Sequence, residues 1–286
     1  MNIQDKSVSA TIGKIIVYIV LLIFTFLAIY PIAWLVMSSF KTSQEFVLNK
    51  LGLPGKIEGF EPTLINYKDA WTRGKFGTLI LNSLFYTGVS VFFIIIFSFM
   101  AGFAFAKLRS KATPVLHGSF VIGLLMTLQC IMVPLFLMAS WFKLLDTRLG
   151  VLIPYIGIGM PMGVYLATEY IKSIPNALIE SARLDGAKFY KIFASIILPM
   201  SMPVAITLAI LSVTGTWNEF MLINILTSSA SLKSLPVGIQ AFAGSLSSDY
   251  GKQFAALVIG LVPMLAFYIA FNKEITKGVA AGAVKG

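Results

Sequence analysis

The sequence predicts an all-α membrane protein, and three observations support this fold class. The chain of 286 residues is 57% hydrophobic, and its mean hydropathy is +0.87. Only 12% of its residues are charged, whereas an ordinary soluble domain has about 25%. Several apolar runs reach the roughly 20 residues that a helix needs to cross the hydrocarbon core, while a barrel would show short alternating segments. The chain is therefore expected to cross a membrane as helices.

The apolar runs predict six transmembrane helices, at residues 12–38, 79–106, 119–142, 150–170, 193–215 and 253–272. The first run is longer than the apolar region of a signal peptide and shows no convincing small-residue cleavage site. We therefore expect it to be a retained span, with nothing removed. Residues 79–272 form the predicted transmembrane core, and an even number of spans places both termini on one side.

Lysine and arginine predict the orientation. They are concentrated in the segments that the six-span topology places inside, whereas the basic residues of the first outer loop are offset by Glu45, Glu58, Glu61 and Asp69. By the positive-inside rule, residues 1–11 and 273–286 are cytoplasmic. The same rule accounts for the net charge of +10, so membrane lipid and not nucleic acid is the expected contact of the basic residues.

Two outer regions are long enough to form structure of their own. Residues 39–78 predict an extracytoplasmic cap with short interfacial helices. Residues 216–252 begin with the sequence TWNEF and are polar, except for an apolar stretch at 220–226 that is too short to span. We interpret this stretch as re-entrant or interfacial, since non-helical backbone at membrane depth needs protein or a water-filled cavity around it.

The spans lack the groups that several other functions require. Carriers coupled to ions usually have ionisable side chains near the middle of the membrane. Here Lys, Arg, Asp and Glu cluster outside the apolar runs, and the nearest exceptions, Lys14, Glu169 and Glu219, fall at span ends. The spans contain no pair of carboxylates at membrane depth, which disfavours an intramembrane enzyme. Cys130 and His117 are each the only residue of their type, so the sequence predicts neither a disulfide nor a Cys/His metal site. Cys130 is expected to fill space in the core. The chain has no phosphate-binding GxxxxGK[ST] loop, so any energy from ATP must come from a partner.

The most charged stretch of the second half, ESARLDGAKF at 180–189, lies between two long apolar runs. Ser173 is predicted to cap a short helix, Pro175 fits its first turn, and Ile174, Leu178 and Ala182 would form its apolar stripe. Gly186 can adopt the left-handed conformation that ends such a helix, and a second helix would then continue to Pro199.

Two short helices that meet at a glycine are suited to dock on another subunit and to transmit its motion. Small side chains near the elbow allow close approach, while Glu180 and Asp185 can accept from backbone amides or pair with a basic group. An ordinary cytoplasmic loop remains the alternative, although it would not explain the glycine elbow and the flanking prolines.

The segment ESARLDGAKFYKIFASIILP, from 180 to 199, resembles the EAA loop of the membrane subunits of bacterial ABC importers. Ser181 departs from the family pattern, which usually has alanine there, and serine is nearly as small. The resemblance extends over the whole chain to the carbohydrate branch that includes the maltose MalG subunit. Its motifs are YPIAWLVMSSFKTSQEF at 30–46, LNSLFYTGVS at 81–90, TWNEF at 216–220, LPVGI at 235–239 and AAGAVKG at 280–286.

The resemblance implies that the EAA loop, residues 172–199, contains a cytoplasmic coupling helix between the fourth and fifth spans. Coupling to the ATPase would then be carried by Glu180, Ala182, Asp185 and Gly186. The implied assembly has a second permease subunit, two ATP-binding subunits and an extracellular solute-binding protein, in the inner membrane of a bacterial cell. ATP and Mg would be bound by the partner ATPase, and this chain would carry no cofactor, no metal and no catalytic residue. The implied function is import of a sugar or oligosaccharide, with another small polar solute, or a secondary carrier, as alternatives.

Five residues are candidates for the substrate path: Trp217, Asn218, Glu219, Gln129 and Asn82. Neutral sugars are commonly bound by an aromatic face together with amide or carboxylate groups, and TWNEF supplies all three group types. The alternative is structural, since Trp is typical of membrane interfaces and Glu219 could pair with a basic neighbour.

Overall fold

The computed structural model describes residues 3–108, 110–245 and 249–283, and every regular element in these ranges is helical. The α-helices are α1 (Ile3–Ser39), α2 (Ser43–Leu48), α3 (Ile65–Arg73), α4 (Phe76–Lys107), α5 (Thr113–Gly123), α6 (Leu128–Trp141), α7 (Arg148–Lys172), α8 (Asn176–Leu184), α9 (Phe189–Ile192), α10 (Leu198–Met200), α11 (Met202–Trp217), α12 (Met221–Leu226), α13 (Leu235–Ser245) and α14 (Tyr250–Ala283). A π-helical segment, Phe193–Ile197, lies between α9 and α10, and a 3₁₀ turn, Ala230–Leu232, precedes α13. The predicted all-α fold class is confirmed.

Four of the helices are long and apolar enough to cross a membrane. They are α1 from Gly13 onward, α4, α7, and α14 as far as Glu274. Two helix pairs pass the same test only as bent units: α5 with α6, bent by 107°, and the segment Phe189–Met200 with α11, bent by 75°. If each bent pair is one span, the number of spans among the described residues is six, as predicted.

The third predicted span, 119–142, differs from a straight helix. α5 ends at Gly123, and a Cβ at this glycine would lie only 3.0 Å from the side chain of Pro161 in α7, so α5 packs closely there. The backbone of Thr127 is extended before α6 begins. Hydropathy does not reveal this break because the residues on both sides of it are apolar. Cys130, expected in the core, is exposed on α6.

The fifth predicted span, 193–215, is also interrupted. Its first turn is the π-helical segment Phe193–Ile197, and the chain bends at Ser201 between Pro199 and Pro203. A proline removes a backbone donor and clashes with the preceding turn, and π segments are frequent at functional positions. The bend therefore follows from local sequence, although hydropathy alone shows a continuous run.

The chain divides into two compact units, which are described separately; the first contains 1–75 with 239–263, and the second 76–238 with 264–286. In the second unit α4 packs along α7. A Cβ at Gly102 would lie 2.7 Å from the Ala167 side chain, and one at Gly163 would lie 2.1 Å from the Ser98 hydroxyl. Glycine at these positions allows the two helices to approach, and Phe99 and Ile94 fill the core beside them with 0% and 1% exposure.

In the first unit the predicted cap contains α2 and α3. The Asn66 amide donates to the carbonyls of Ser39 and Lys41, at 2.8 Å each. The Lys41 side chain is 1% exposed and donates to the carbonyl of Asn49 at 2.6 Å. Burial lowers the pKa of Lys41, and the nearby Glu45 carboxylate opposes that shift.

Candidate functional site

The short helix predicted between the fourth and fifth spans is present as α8, and it begins two residues later than a cap at Ser173 would place it. Pro175 is the N-cap residue and has no side-chain cap. Ser173 instead ends α7, where its hydroxyl donates to the carbonyl of Tyr170 at 2.7 Å. The predicted cap at Ser173 is therefore wrong, because the preceding helix continues to Lys172 and already uses this serine.

The glycine elbow is confirmed at Gly186, whose φ is +76°. The amide of Ala187 donates to the carbonyl of Ala182 at 2.9 Å, and the amide of Gly186 donates to the carbonyl of Arg183 at 3.0 Å. These two bonds form a Schellman motif, which satisfies two of the carbonyls left free at the end of a helix. The next helix, α9, starts after Lys188, so the chain changes direction within four residues of α8.

The apolar face of α8 differs from the predicted stripe. Ile174 and Ile179 are 4% and 5% exposed and belong to the core formed with α4 and α7, while Ala182 packs partly against it. Leu178 is 42% exposed. Since α8 begins at Asn176, Ile174 lies outside the helix, and a four-residue period counted from it selects Leu178 for the buried face in place of Ile179.

The opposite face of α8 is free to contact another molecule. Neither the Glu180 nor the Asp185 carboxylate has a hydrogen bond or ion pair with another residue of the described ranges, and both residues are exposed. Leu184 is 89% exposed and Tyr190 is 72% exposed. Free carboxylates beside exposed large apolar side chains are typical of a docking surface. We call this set, Glu180, Leu184, Asp185 and Tyr190, the α8 surface.

A cleft of about 1120 Å³ runs along one side of α8. Lys107 and Lys111 line it from the end of α4 and the following loop, and Glu180 and Arg183 line it from α8. The guanidinium of Arg183 lies over the ring of Phe189, 4.9 Å from its centroid. The α8 surface is thus bordered by basic groups that belong to this chain.

At the other candidate site, TWNEF forms the junction between α11 and α12. Trp217 is 6% exposed. The Asn218 side chain turns back to donate to the carbonyl of Thr214 at 2.9 Å. The Glu219 carboxylate accepts from the hydroxyl of Tyr155 at 2.7 Å and from the amides of Leu222 and Ile223 at 2.6 and 3.1 Å. Glu219 therefore holds α12 against α7.

The structure does not gather the five substrate-path candidates in one place. Asn82 is 3% exposed, and its amide donates to the carbonyls of Ser231 and Lys233 at 2.7 and 3.0 Å. Gln129 is exposed near the start of α6. Glu219 alone of the five lines a cavity of about 280 Å³, which also contains Ser212 and Thr216. The substrate role of these residues stays a prediction.

The loop between α12 and α13, residues 227–234, is held by groups that the sequence did not single out. The Asp146 carboxylate accepts from the Ser228 and Ser229 amides at 2.9 and 2.8 Å and from the Ser229 hydroxyl. The Ser229 side chain and backbone bonds hold the pKa of Asp146 below its usual range. Lys233 donates to Thr227 and to Asn224, and burial lowers its pKa. No local pattern predicts the Asp146 contacts, since they join residues more than eighty positions apart.

Comparison with known proteins places this architecture in a family. Residues 73–273 match the family model described as "Binding-protein-dependent transport system inner membrane component". A putative ABC transporter permease protein, ORF2, from Caldicellulosiruptor sp. (strain Rt8B.4) is 34% identical over 270 residues, which cover 94% of this chain and 96% of that protein. The probable starch degradation products transport system permease protein AmyC of Thermoanaerobacterium thermosulfurigenes is 31% identical over 264 residues, covering 92% and 94% of the two chains.

Among solved structures, a chain of a bacterial ABC transporter involved in the import of the acidic polysaccharide alginate has the same fold. Its TM-score is 0.78 at 24% sequence identity, and the match covers 93% of this chain and 97% of that chain. Permease subunits of this kind are transport components that carry no cofactor themselves, and they are not enzymes. The chain accordingly belongs to the binding-protein-dependent transport system inner membrane components, the permease subunits of ABC importers.

Proposed function

We propose that this chain is one of two different permease subunits of an importer that takes up a sugar or oligosaccharide. The complete transporter would contain two ATP-binding subunits, which bind ATP and Mg, and an extracellular solute-binding protein that delivers the substrate. It would lie in the cytoplasmic membrane of a bacterium with both termini of this chain inside. The sugar assignment is supported by the relatives, one of which is named for starch degradation products.

The α8 surface is the observation that supports coupling to an ATPase most directly. Its two carboxylates have no partner within the described chain, and Leu184 is 89% exposed. Exposing a large apolar side chain to water is unfavourable, so a partner that covers it gains both apolar burial and charge pairing. We assign Glu180, Ala182, Asp185 and Gly186 to this contact, with Ala182 and Gly186 shaping the helix end.

Movement of α8 would reach the transmembrane core because its other face is buried there. Ile174 and Ile179 pack in the same core as Phe99 and Phe103 of α4 and Ile171 of α7. A closely packed core transmits displacement as a body, because it has few voids to absorb it. ATP binding would close the ATPase pair, move α8, and turn the cavity between the two permease subunits from the inside to the outside.

The boundaries we propose for the functional parts are those predicted from the sequence. The EAA loop is 172–199, the extracytoplasmic loop is 39–78, and the transmembrane core of an ABC type-1 permease is 79–272. The tail at 273–286 would reach toward the ATPase pair; its residues 284–286 lie outside the described ranges.

The test of function is uptake by the complete transporter, purified through a tag on this chain and reconstituted in vesicles with its binding protein. Radiolabelled maltose, maltotriose, raffinose and, as a non-sugar polar solute, an amino acid would each be supplied with and without ATP, and again after ionophores have abolished all ion gradients. We expect ATP-dependent uptake of at least one sugar that survives the ionophores. Uptake that depends on a gradient and not on ATP would establish a secondary carrier, and ATP-dependent uptake of only a non-sugar solute would establish the other alternative.

Charge reversal tests the α8 surface. Glu180→Lys should abolish substrate-stimulated ATP hydrolysis while leaving the amount of this chain in the membrane unchanged. Glu58→Lys makes the same charge change at an exposed position in the outer loop and is the matched control. Equal hydrolysis in the two variants would show that Glu180 does not contact the ATPase.

We also propose that Trp217, Asn218 and Glu219, with Gln129 and Asn82, border the substrate path. The cavity beside Glu219, about 280 Å³, supports a path at this junction, whereas the buried indole of Trp217 would have to move to stack on a sugar. Trp217→Ala and Asn218→Ala would be compared for uptake of the three sugars, normalised to assembled complex. A changed ranking of the sugars supports the proposal, and a uniform loss that follows protein level assigns both residues to the scaffold.

A further inference from the structure

The end of α4 is joined to the start of the coupling helix by one side chain. The ammonium of Lys107, the last residue of α4, donates to the carbonyl of Ile174 at 2.6 Å and to the side-chain oxygen of Asn176 at 2.8 Å. It also lies 3.5 Å from the carbonyl of Lys172. An ammonium has three donors, so Lys107 is fully engaged by the turn between α7 and α8.

These contacts fix the turn from which α8 starts. Lys172 is the last residue of α7 and Asn176 is the first of α8, so Lys107 binds oxygens on both sides of the connection. Carbonyls at the end of a helix carry partial negative charge and lack internal partners, and a cation there is favourable. The apolar packing of Ile174 and Ile179 has no directional preference, whereas hydrogen bonds from an ammonium have a preferred geometry that fixes the turn more closely.

No other basic group on this side of the second unit makes an equivalent contact within the described residues. Lys111 lines the same cleft but has no hydrogen bond or ion pair with a described residue, and Lys172 pairs with its neighbour Glu169 at 2.7 Å. Arg183 lies over Phe189 on α8's own side of the elbow. The tie between α4 and the start of α8 therefore depends on Lys107.

We propose that Lys107 is a positioning residue for coupling: it fixes α8 to α4, so that movement of α8 is transmitted to the central transmembrane helix. The expected effect on transport rests on the proposed function, whereas the attachment of α8 to α4 through Lys107 does not. Removing the ammonium should let α8 move without α4, so that ATP is hydrolysed with less transport.

The experiment compares Lys107→Met, which keeps the length of the side chain, with Lys107→Arg and with the control Lys111→Met. The first readout is sugar transported per ATP hydrolysed in the reconstituted transporter, using whichever of maltose, maltotriose and raffinose the unsubstituted transporter carries. We expect a roughly tenfold fall for Lys107→Met, the scale of losing hydrogen bonds from one charged group. Lys107→Arg should recover much of the loss, and Lys111→Met should resemble the unsubstituted transporter.

The second readout measures α8 against α4 without any substrate or nucleotide. Spin labels are placed at Leu81→Cys on α4 and Ala177→Cys on α8, both exposed positions, in a Cys130→Ser background, and their distance distribution is recorded by pulsed electron resonance. Lys107→Met should broaden the distribution, whereas Lys111→Met should not. If Lys107→Met prevents assembly, Asn176→Ala replaces it, with Asn176→Asp as the variant that keeps the acceptor.

The proposal stands only if the distribution broadens and the transport ratio falls in the same variants. Broadening without a change in the transport ratio, or a lower ratio with an unchanged distribution, overturns it. If the unsubstituted transporter moves none of these sugars at the expense of ATP, the proposed function fails by itself, and the spin-label distances still decide whether Lys107 holds α8 to α4.

Discussion

The backbone of Gly186 provides a graded test of the coupling elbow. Its φ is +76°, and a Cβ added there would meet no heavy atom within 4 Å. A substitution is therefore opposed by backbone strain and not by a clash within this chain. An L-residue in the left-handed conformation costs about 1–2 kcal/mol relative to glycine, which corresponds to a factor of about 5–30 in the population of the elbow.

Residue types differ in this cost in a way that does not follow their size. Asn tolerates the left-handed conformation better than Ala, although it is larger, and a β-branched residue is the least tolerant. We expect coupled transport to fall in the order Gly186, Gly186→Asn, Gly186→Ala, Gly186→Val. Loss of the elbow would also break the bonds from Ala187 to Ala182 and from Gly186 to Arg183.

The assay is substrate-stimulated ATP hydrolysis and sugar uptake by the reconstituted transporter, each normalised to the amount of complex. Membrane insertion should be the same for all four proteins because the elbow lies outside the apolar helices. If Gly186→Ala works better than Gly186→Asn, the activity follows side-chain volume, and crowding at the docking surface replaces backbone strain as the explanation. Full activity of Gly186→Val would show that the left-handed conformation is not required.

Three other perturbations follow from the described contacts. Asn82→Leu should lower the free energy of unfolding of the second unit by about 1–3 kcal/mol, since it removes the buried amide that donates to the carbonyls of Ser231 and Lys233. A melting temperature in detergent equal to that of the unsubstituted protein would contradict this. Asp146→Asn should loosen residues 227–234, seen as altered ¹⁹F spectra of a label at residue 231. Because the pKa of Asp146 is lowered in the folded protein, the stabilisation of the loop by its carboxylate is fully present above the ordinary aspartate pKa of about 3.9 and is lost as the pH falls through the lowered value. The spectrum of the label should therefore be constant from pH 5 to 8. A change within that range would refute the role of the Asp146 carboxylate in holding the loop. Deleting residues 280–286 should reduce substrate-stimulated ATP hydrolysis more than assembly, and unchanged hydrolysis would show that the tail is dispensable.

The sequence by itself determined the class of the molecule and the glycine that ends the short helix between the fourth and fifth predicted spans. A mean hydropathy of +0.87 leaves membrane helices as the way to satisfy the backbone. Gly186 was predicted as the left-handed residue that ends the short helix, and its φ of +76° confirms this. These features are local: they depend on residues within about one helical turn or on the average apolarity of a run.

Tertiary structure alone decided which side chains meet. In the sequence, Lys107 is one of several lysines predicted to be cytoplasmic, and only the structure places it beside the turn at 172–176. Asn82 is in the same way a polar residue within a predicted span, and only the structure shows that its amide donates to the carbonyls of Ser231 and Lys233. The bend in the third predicted span was likewise hidden, because hydropathy sums over a window and does not register where a backbone turns. The bend in the fifth span differs, since Pro199 and Pro203 mark it in the local sequence. The partners of Asn82, and the Tyr155 hydroxyl that donates to Glu219, lie tens to more than a hundred residues away in sequence. Their approach is set by how whole helices pack and not by any local pattern.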